Sequence, residues 1–147
     1  MAISQREKIM MEIERRLLLV PGVGFVTRNP ESPPDQSNFP AVQIFELDDE
    51  VEEQTMRGGK PCLKRKLQVA IEMYISASSQ GARNAELNEF LSLVRRELYR
   101  TKQNFGGFAS SWKEISMSRI LVPPVGDNSI GVGVAIEILY LEDISMT

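Results

Sequence analysis

The chain has no histidine and a single cysteine, Cys62. Without histidine, the common Ser-His and Cys-His nucleophile schemes are closed, and so are imidazole metal sites. One cysteine cannot form an internal disulfide, and such sparing use fits a reducing compartment. No apolar run approaches the roughly 18 residues of a membrane span, so no membrane partner is expected. The opening MAISQREKIM lacks the apolar core of a signal peptide. A basic excess is also missing. The formal net charge is −3 and the pI is near 5.1, which argues against a general nucleic-acid binder.

What is present is globular. Hydrophobic residues at 42% and charged residues at 25% of 147 positions predict one domain spanning 1–147. A chain of that length buries about 68–70% of its unfolded surface and needs no staples. The clearest pattern runs from Leu63 to Ser76, LKRKLQVAIEMYIS, with Leu67, Val69, Ile71, Met73 and Ile75 on alternate positions. That period of two predicts a half-buried strand. Its length suggests that the basic first third outruns the domain. A companion, Ile130–Glu142, alternates Ile130, Val132, Val134, Ile136, Ile138 and Tyr140 against Gly131, Gly133 and Ala135. The small face suggests close approach or a bend.

The remaining elements follow from stripes and breakers. Ser4 and Glu7 fit a capping box, opening a helix to about Leu19 with Ile9, Met10, Ile13, Leu17 and Val20 as its apolar stripe. Val23–Arg28 reads as a short strand. Residues 29–40 hold four prolines and read as a loop, either disordered or in a contact role. Ala41–Asp48 is a strand, and Asp49–Pro61, with Gly58-Gly59 as its turn, is the tip of a large hairpin into which the ends of both strands are free to extend. A second helix, Ala82–Arg100, carries Leu87, Phe90, Leu91, Val94 and Leu98, with Arg95, Arg96 and Arg100 placed to complement its dipole. Loop 101–111, a strand Trp112–Val122 with muddled alternation, and a turn at Pro123–Asn128 precede the last strand. The order α-β-β-β-α-β-β predicts an α+β fold. Its sheet is mainly antiparallel or mixed, of about four or five strands, with two amphipathic helices packed on one face.

Candidates for chemistry are few. Asp48, Asp49, Glu50, Glu52 and Glu53 offer oxygens but lack the spacing of a calcium loop. They read as a solvated or partner-facing tip. Arg57, Lys60, Lys64, Arg65 and Lys66 form a basic patch with only Tyr74 near it, which is too little for base stacking. Contact between neighbouring subunits, or plain solvation, explains the patch better. Ser110-Ser111-Trp112-Lys113 matches Ser-x-x-Lys without its companion motifs. Cys62 reads as an inert, largely buried thiol, Trp112 as a core or interface anchor, and the seven methionines mostly as core filler. The reading is therefore non-enzymatic, with no catalytic, metal or cofactor site and no cofactor.

Three stretches resemble the tail terminator (tail-completion) proteins of long-tailed bacteriophages. They are RRLLLVPGVGFVTR after the first helix, PAVQIFELDDE with LQVAIEMYIS and the helix ELNEFLSLVRREL, and the close LVPPVGDNSIGVGVAIEILYLED. The resemblance covers nearly the whole chain in polarity and length. It implies a hexameric ring in the virion, assembled in the host cytoplasm, on the head-proximal end of the tail tube. Such a ring stops tube polymerisation and joins the tail to the head or neck. The implied partners are further copies of the chain, the tail tube protein and the neck or head-tail connector protein. DNA is cargo passing through the lumen. On this reading a hairpin protrudes around 48–66, and Glu50, Glu52, Glu53, Arg57, Lys64 and Lys66 make subunit or tube contacts. A neck or head-tail joining ring is a second structural reading. A small-ligand or enzymatic α+β domain is the alternative from another class.

Overall fold

The computed structural model describes residues 3–100, 104–121 and 128–144, with the backbone alone at 119–121. The fold is α+β: two helices and a five-stranded mixed sheet. The elements in chain order are α1 (Gln5–Leu18), β1 (Phe25–Arg28), β2 (Ala41–Arg57), β3 (Lys60–Ser76), α2 (Arg83–Tyr99), β4 (Ser111–Leu121) and β5 (Ser129–Asp143). Strand order across the sheet is β1-β2-β3-β5-β4. All neighbouring pairs are antiparallel except β1 and β2, which are parallel.

The core lies on one face of this sheet. Register places Val42 beside Met73 and Met73 beside Val132, Ile44 beside Ile71 and Ile71 beside Val134, and Val69 beside Ile136. The predicted stripes of both helices are buried in the same cluster. Each such side chain contributes about 1.5–3 kcal/mol before entropy is counted. Trp112 is buried between Tyr99 and Phe105, with ring centroids 4.5 and 5.2 Å away. Of the described methionines, only Met10 and Met73 are core. Met11, Met56 and Met117 are exposed, which corrects the core-filler reading. The apolar stripes claim Met10 and Met73, and the other three fall on outward positions.

The helix starts are only partly as expected. The Ser4 hydroxyl accepts from the Glu7 N–H at 3.1 Å, but the Glu7 carboxylate is held by Arg28. Arg16 is buried. It donates to the Leu98 carbonyl at 3.2 Å and to Glu12 at 3.1 Å, and its guanidinium lies over Phe105. Arg95 makes a bidentate pair with Glu114 on β4 at 3.0 and 2.7 Å, so a neighbouring carboxylate claims it more directly than the helix dipole.

Two corrections and one extension of the expected hairpin concern the strands. First, the Pro-rich segment 29–40 is a structured crossover. A parallel strand pair cannot be joined by a tight hairpin and needs a long connection. This one carries a short 3-10 helix at Gln36–Asn38, capped by Asp35, and its Ser32 carbonyl accepts from Gln43 at 3.1 Å. Second, the hairpin tip is strand almost throughout. Only Gly58 and Gly59 turn, with φ of 59° and 77°, the left-handed pair that a two-residue type I′ connection requires. Third, Leu63–Lys66 does not outrun the domain, because β5 follows β3 as far as the pair Cys62–Asp143. Pro61 stands just past that point, where its missing N–H breaks no ladder.

The muddled alternation of β4 has a simple cause. The pairing jumps between Glu114 and Ser116 and between Arg119 and Leu121, so the register slips twice. On β5 the small face does permit close approach. A Cβ on Gly131 would lie 2.9 Å from the Tyr74 ring. Residues 101–103, and the predicted turn from Pro123 through residue 127, lie outside the described residues.

Candidate interaction surface

Two places on the molecule gather polar groups, and they differ in kind. One is the root of the β2–β3 hairpin. Between Glu46 and Asp49 the β2 register shifts, so Leu47 and Asp48 together oppose Gln68. This bulge brings Asp49 onto the face that Glu46 already occupies, towards α1. Without it, Asp48 would face that way.

The two carboxylates meet three arginines from three elements. Arg6 of α1 donates to Glu46 and to Asp49, both at 3.0 Å. Arg28 of β1 holds Glu7 at 2.6 and 2.9 Å and reaches Glu46 at 3.0 Å. Arg65 of β3 donates to the Asp49 carboxylate at 2.9 Å and to Glu142 of β5 at 3.4 Å. Tyr140 Oη donates to Asp49 at 2.6 Å. Asn29 closes the network. Its backbone, at φ 45°, turns the chain out of the sheet, while its side chain donates to the Glu46 carboxylate at 2.7 Å and accepts from the Glu46 N–H at 2.9 Å.

The two central carboxylates are largely shielded, with Asp49 at 7% and Glu46 at 12% side-chain exposure. Burial works to raise the Glu46 pKa. Hydrogen bonds from Arg28, Asn29 and Arg6 outweigh it and hold the carboxyl below the usual range. The bidentate Arg28 contact does the same for Glu7, against a smaller burial effect. Tyr140 is pushed up by burial and then by its bond to Asp49.

Beyond the root, the hairpin forms an arm. A second register shift lies between Val51 and Glu53. Lys66 Nζ sits 2.9 Å from Glu52 and 3.9 Å from Glu50. Glu53 and Lys64 are cross-strand partners, and Arg57 faces Lys60 across the turn. The structure thus brings Glu50, Glu52 and Lys66 together, sets Glu53 beside Lys64, and leaves Arg57 apart at the tip. The sequence reading missed Arg6, Arg28, Glu46 and Tyr140. It also placed Asp49 in an acidic run and Arg65 in a basic patch instead of pairing them.

The second place is the sheet face away from the helices. The crossover covers its β1–β2 half and encloses a cleft of about 480 Å³ lined by Phe25, Thr27, Pro33, Asp35 and Gln43. A shallow trough of about 380 Å³ lies on the other half, over Ala70, Glu72, Ser116, Ser118 and Gly133. Glu72 accepts from Tyr74 Oη at 2.6 Å. Among the described residues no hydrogen bond joins Ser116 or Ser118 to a base, and no group of three or more Cys, Asp or Glu residues could hold a metal ion. No helix among them is long and apolar enough to cross a membrane.

No protein-family model matches the chain. No curated protein matches it in sequence. Among solved structures it is similar to a chain from the virion of a native gene transfer agent (GTA) particle. The TM-score is 0.35 at 6% identity, over 88% of this chain and 91% of that one. A likeness at that level carries no functional argument.

Proposed function

We propose that the chain is a structural, non-enzymatic virion protein that forms a hexameric ring. The ring caps the head-proximal end of a long-tailed bacteriophage's tail tube, stops tube polymerisation and presents a surface to the neck. One observation carries the reading. The β2–β3 hairpin is locked at its root by a charge network centred on two shielded carboxylates, and β5 flanks its β3 side as far as Cys62, yet among the described residues its β2 side stands exposed from Val51 to Arg57. A lone domain has no use for an exposed strand held so firmly, whereas a ring subunit does. The sequence resemblance to tail terminators points the same way.

Capping by such a ring is steric. The ring must match the tube's end-face well enough to bind while offering no further copy of that face. Ring formation needs a head-to-tail interface whose rotation closes. Glu50, Glu52, Glu53, Arg57, Lys64 and Lys66 are the arm residues assigned to subunit or tube contacts. The test is to polymerise purified tail tube subunits with excess protein and image the products. Tubes of uncontrolled length overturn the terminator role. Rings bound to a neck protein but not to tubes would favour the head-tail joining role instead.

A further inference from the structure

The sheet has two unprotected edges. On one side β1 pairs with β2 only as far as Ile44, and Asn29 then takes the chain away. From Leu47 to Arg57 the outer edge of β2 therefore has no neighbouring strand among the described residues. On the other side β4 is an edge along its whole 11 residues, and the open stretch of β2 is of the same length. Among the described residues, no backbone hydrogen bond from another element reaches either edge. Open edges of this length are templates for pairing with another chain.

Three features select the partner. Direction is the first. β2 is antiparallel to β3, β3 to β5 and β5 to β4, so β4 runs opposite to β2. Laying one copy's β4 beside another copy's β2 extends the sheet in the favoured antiparallel sense. Charge is the second. The β2 edge shows exposed Asp48, Glu50, Glu52 and Glu53. Lys66 of β3 pairs with Glu52 and lies near Glu50, and the remaining excess of carboxylates still sets two β2 edges against each other. The β4 edge shows exposed Lys113, and its one acidic residue, Glu114, is neutralised by Arg95. Apolar surface is the third. Leu47, Val51 and Met56 stand out at 46%, 51% and 63% exposure on β2, as do Ile115 and Met117 at 42% and 54% on β4.

We infer that the free edge of β2 (Leu47–Arg57) pairs antiparallel with the free edge of β4 (Ser111–Leu121) on a second copy of this chain. The contact joins two different surfaces, so it repeats head-to-tail and closes only as a ring. The inference rests on the ring reading above and specifies its interface. The register shifts on both strands are devices that keep natural edges from indiscriminate pairing, and here they leave the opposite-sign edge as the match.

The experiment is disulfide scanning in a Cys62→Ala background, with native mass measured alongside. Val51→Cys is combined in turn with Lys113→Cys, Ile115→Cys and Met117→Cys, all at exposed positions. The expected result is an oxidised ladder of multimers for at least one combination and none for single variants. Linked dimers from Val51→Cys alone would mean β2 meets β2 and would overturn the inference. Full rings by native mass with no disulfide in any combination would overturn it too, while the ring reading stands. A strict monomer at every concentration, with and without tube subunits, would sink both. As a second arm, Lys113→Glu sets like charges together and is expected to raise the concentration needed for assembly by about fivefold. No change there would count against the charge match.

Discussion

Along β3, Leu67, Val69, Ile71 and Met73 are fully buried against the helices, while two residues before Leu67, Arg65 sits among carboxylates. The body is held by apolar burial, which is indifferent to pH and acts at short range in every direction. The arm root is held by ion pairs and hydrogen bonds, which are directional and need particular protonation states. One ladder thus passes from a region that sets stability to a region that sets an angle. Such a change of forces within one strand lets the arm be fixed or loosened without unfolding the body.

Four substitutions or conditions test that division, in descending order of effect. Ile71→Ala, at the centre of the body, is expected to cost about 2–5 kcal/mol through lost burial and a residual cavity, measured by denaturant unfolding. A much smaller loss would mean that the body is not governed by packing. Asp49→Ala strands Arg6, Arg65 and Tyr140 and is expected to cost about 1.5–3 kcal/mol. Its amide exchange should accelerate in the arm by about tenfold to a hundredfold while the β3–β5 core amides change little. Uniform acceleration would erase the distinction between the regions.

Acid is the third probe. Glu46 and Glu7 have depressed pKa values in the folded state. Their contribution is therefore intact above the unfolded glutamate pKa of about 4.3, and it is lost as pH falls through the lower folded values. Arm amides should lose protection below pH ~4 before the body melts. Simultaneous loss would contradict the separation. The smallest effect belongs to the tip. Arg57→Ala with Lys60→Ala should leave the unfolding midpoint unchanged, since neither side chain has an ion pair in the described structure. A clear drop in midpoint would show that the tip serves the fold.

The sequence showed the body better than the arm, for a physical reason. Burial repeats with the period of the element, so Leu67–Ile75 and Ile130–Tyr140 announce their inward faces, and α1 and α2 show their stripes. A bulge leaves no such period. Whether Asp48 or Asp49 turns inward depends on Arg6, 43 residues away, and on Tyr140, 91 residues away. The parallel pairing of β1 was equally hidden, because a four-residue strand looks the same in either direction. In hindsight the length of the 29–40 segment was the available clue, since only a crossover needs so much chain.

The arm's root also acts as a check on the fold. Its fastenings come from the first turn of α1, the end of β1, the bulge in β2, the first third of β3 and the last residues of β5. No partial fold supplies all of them. A chain whose N-terminal helix or final strand has not yet docked can form the hairpin but cannot aim it. Correct aim is thus a property only of the fully docked fold, so the direction of the hairpin reports that every element has reached its place.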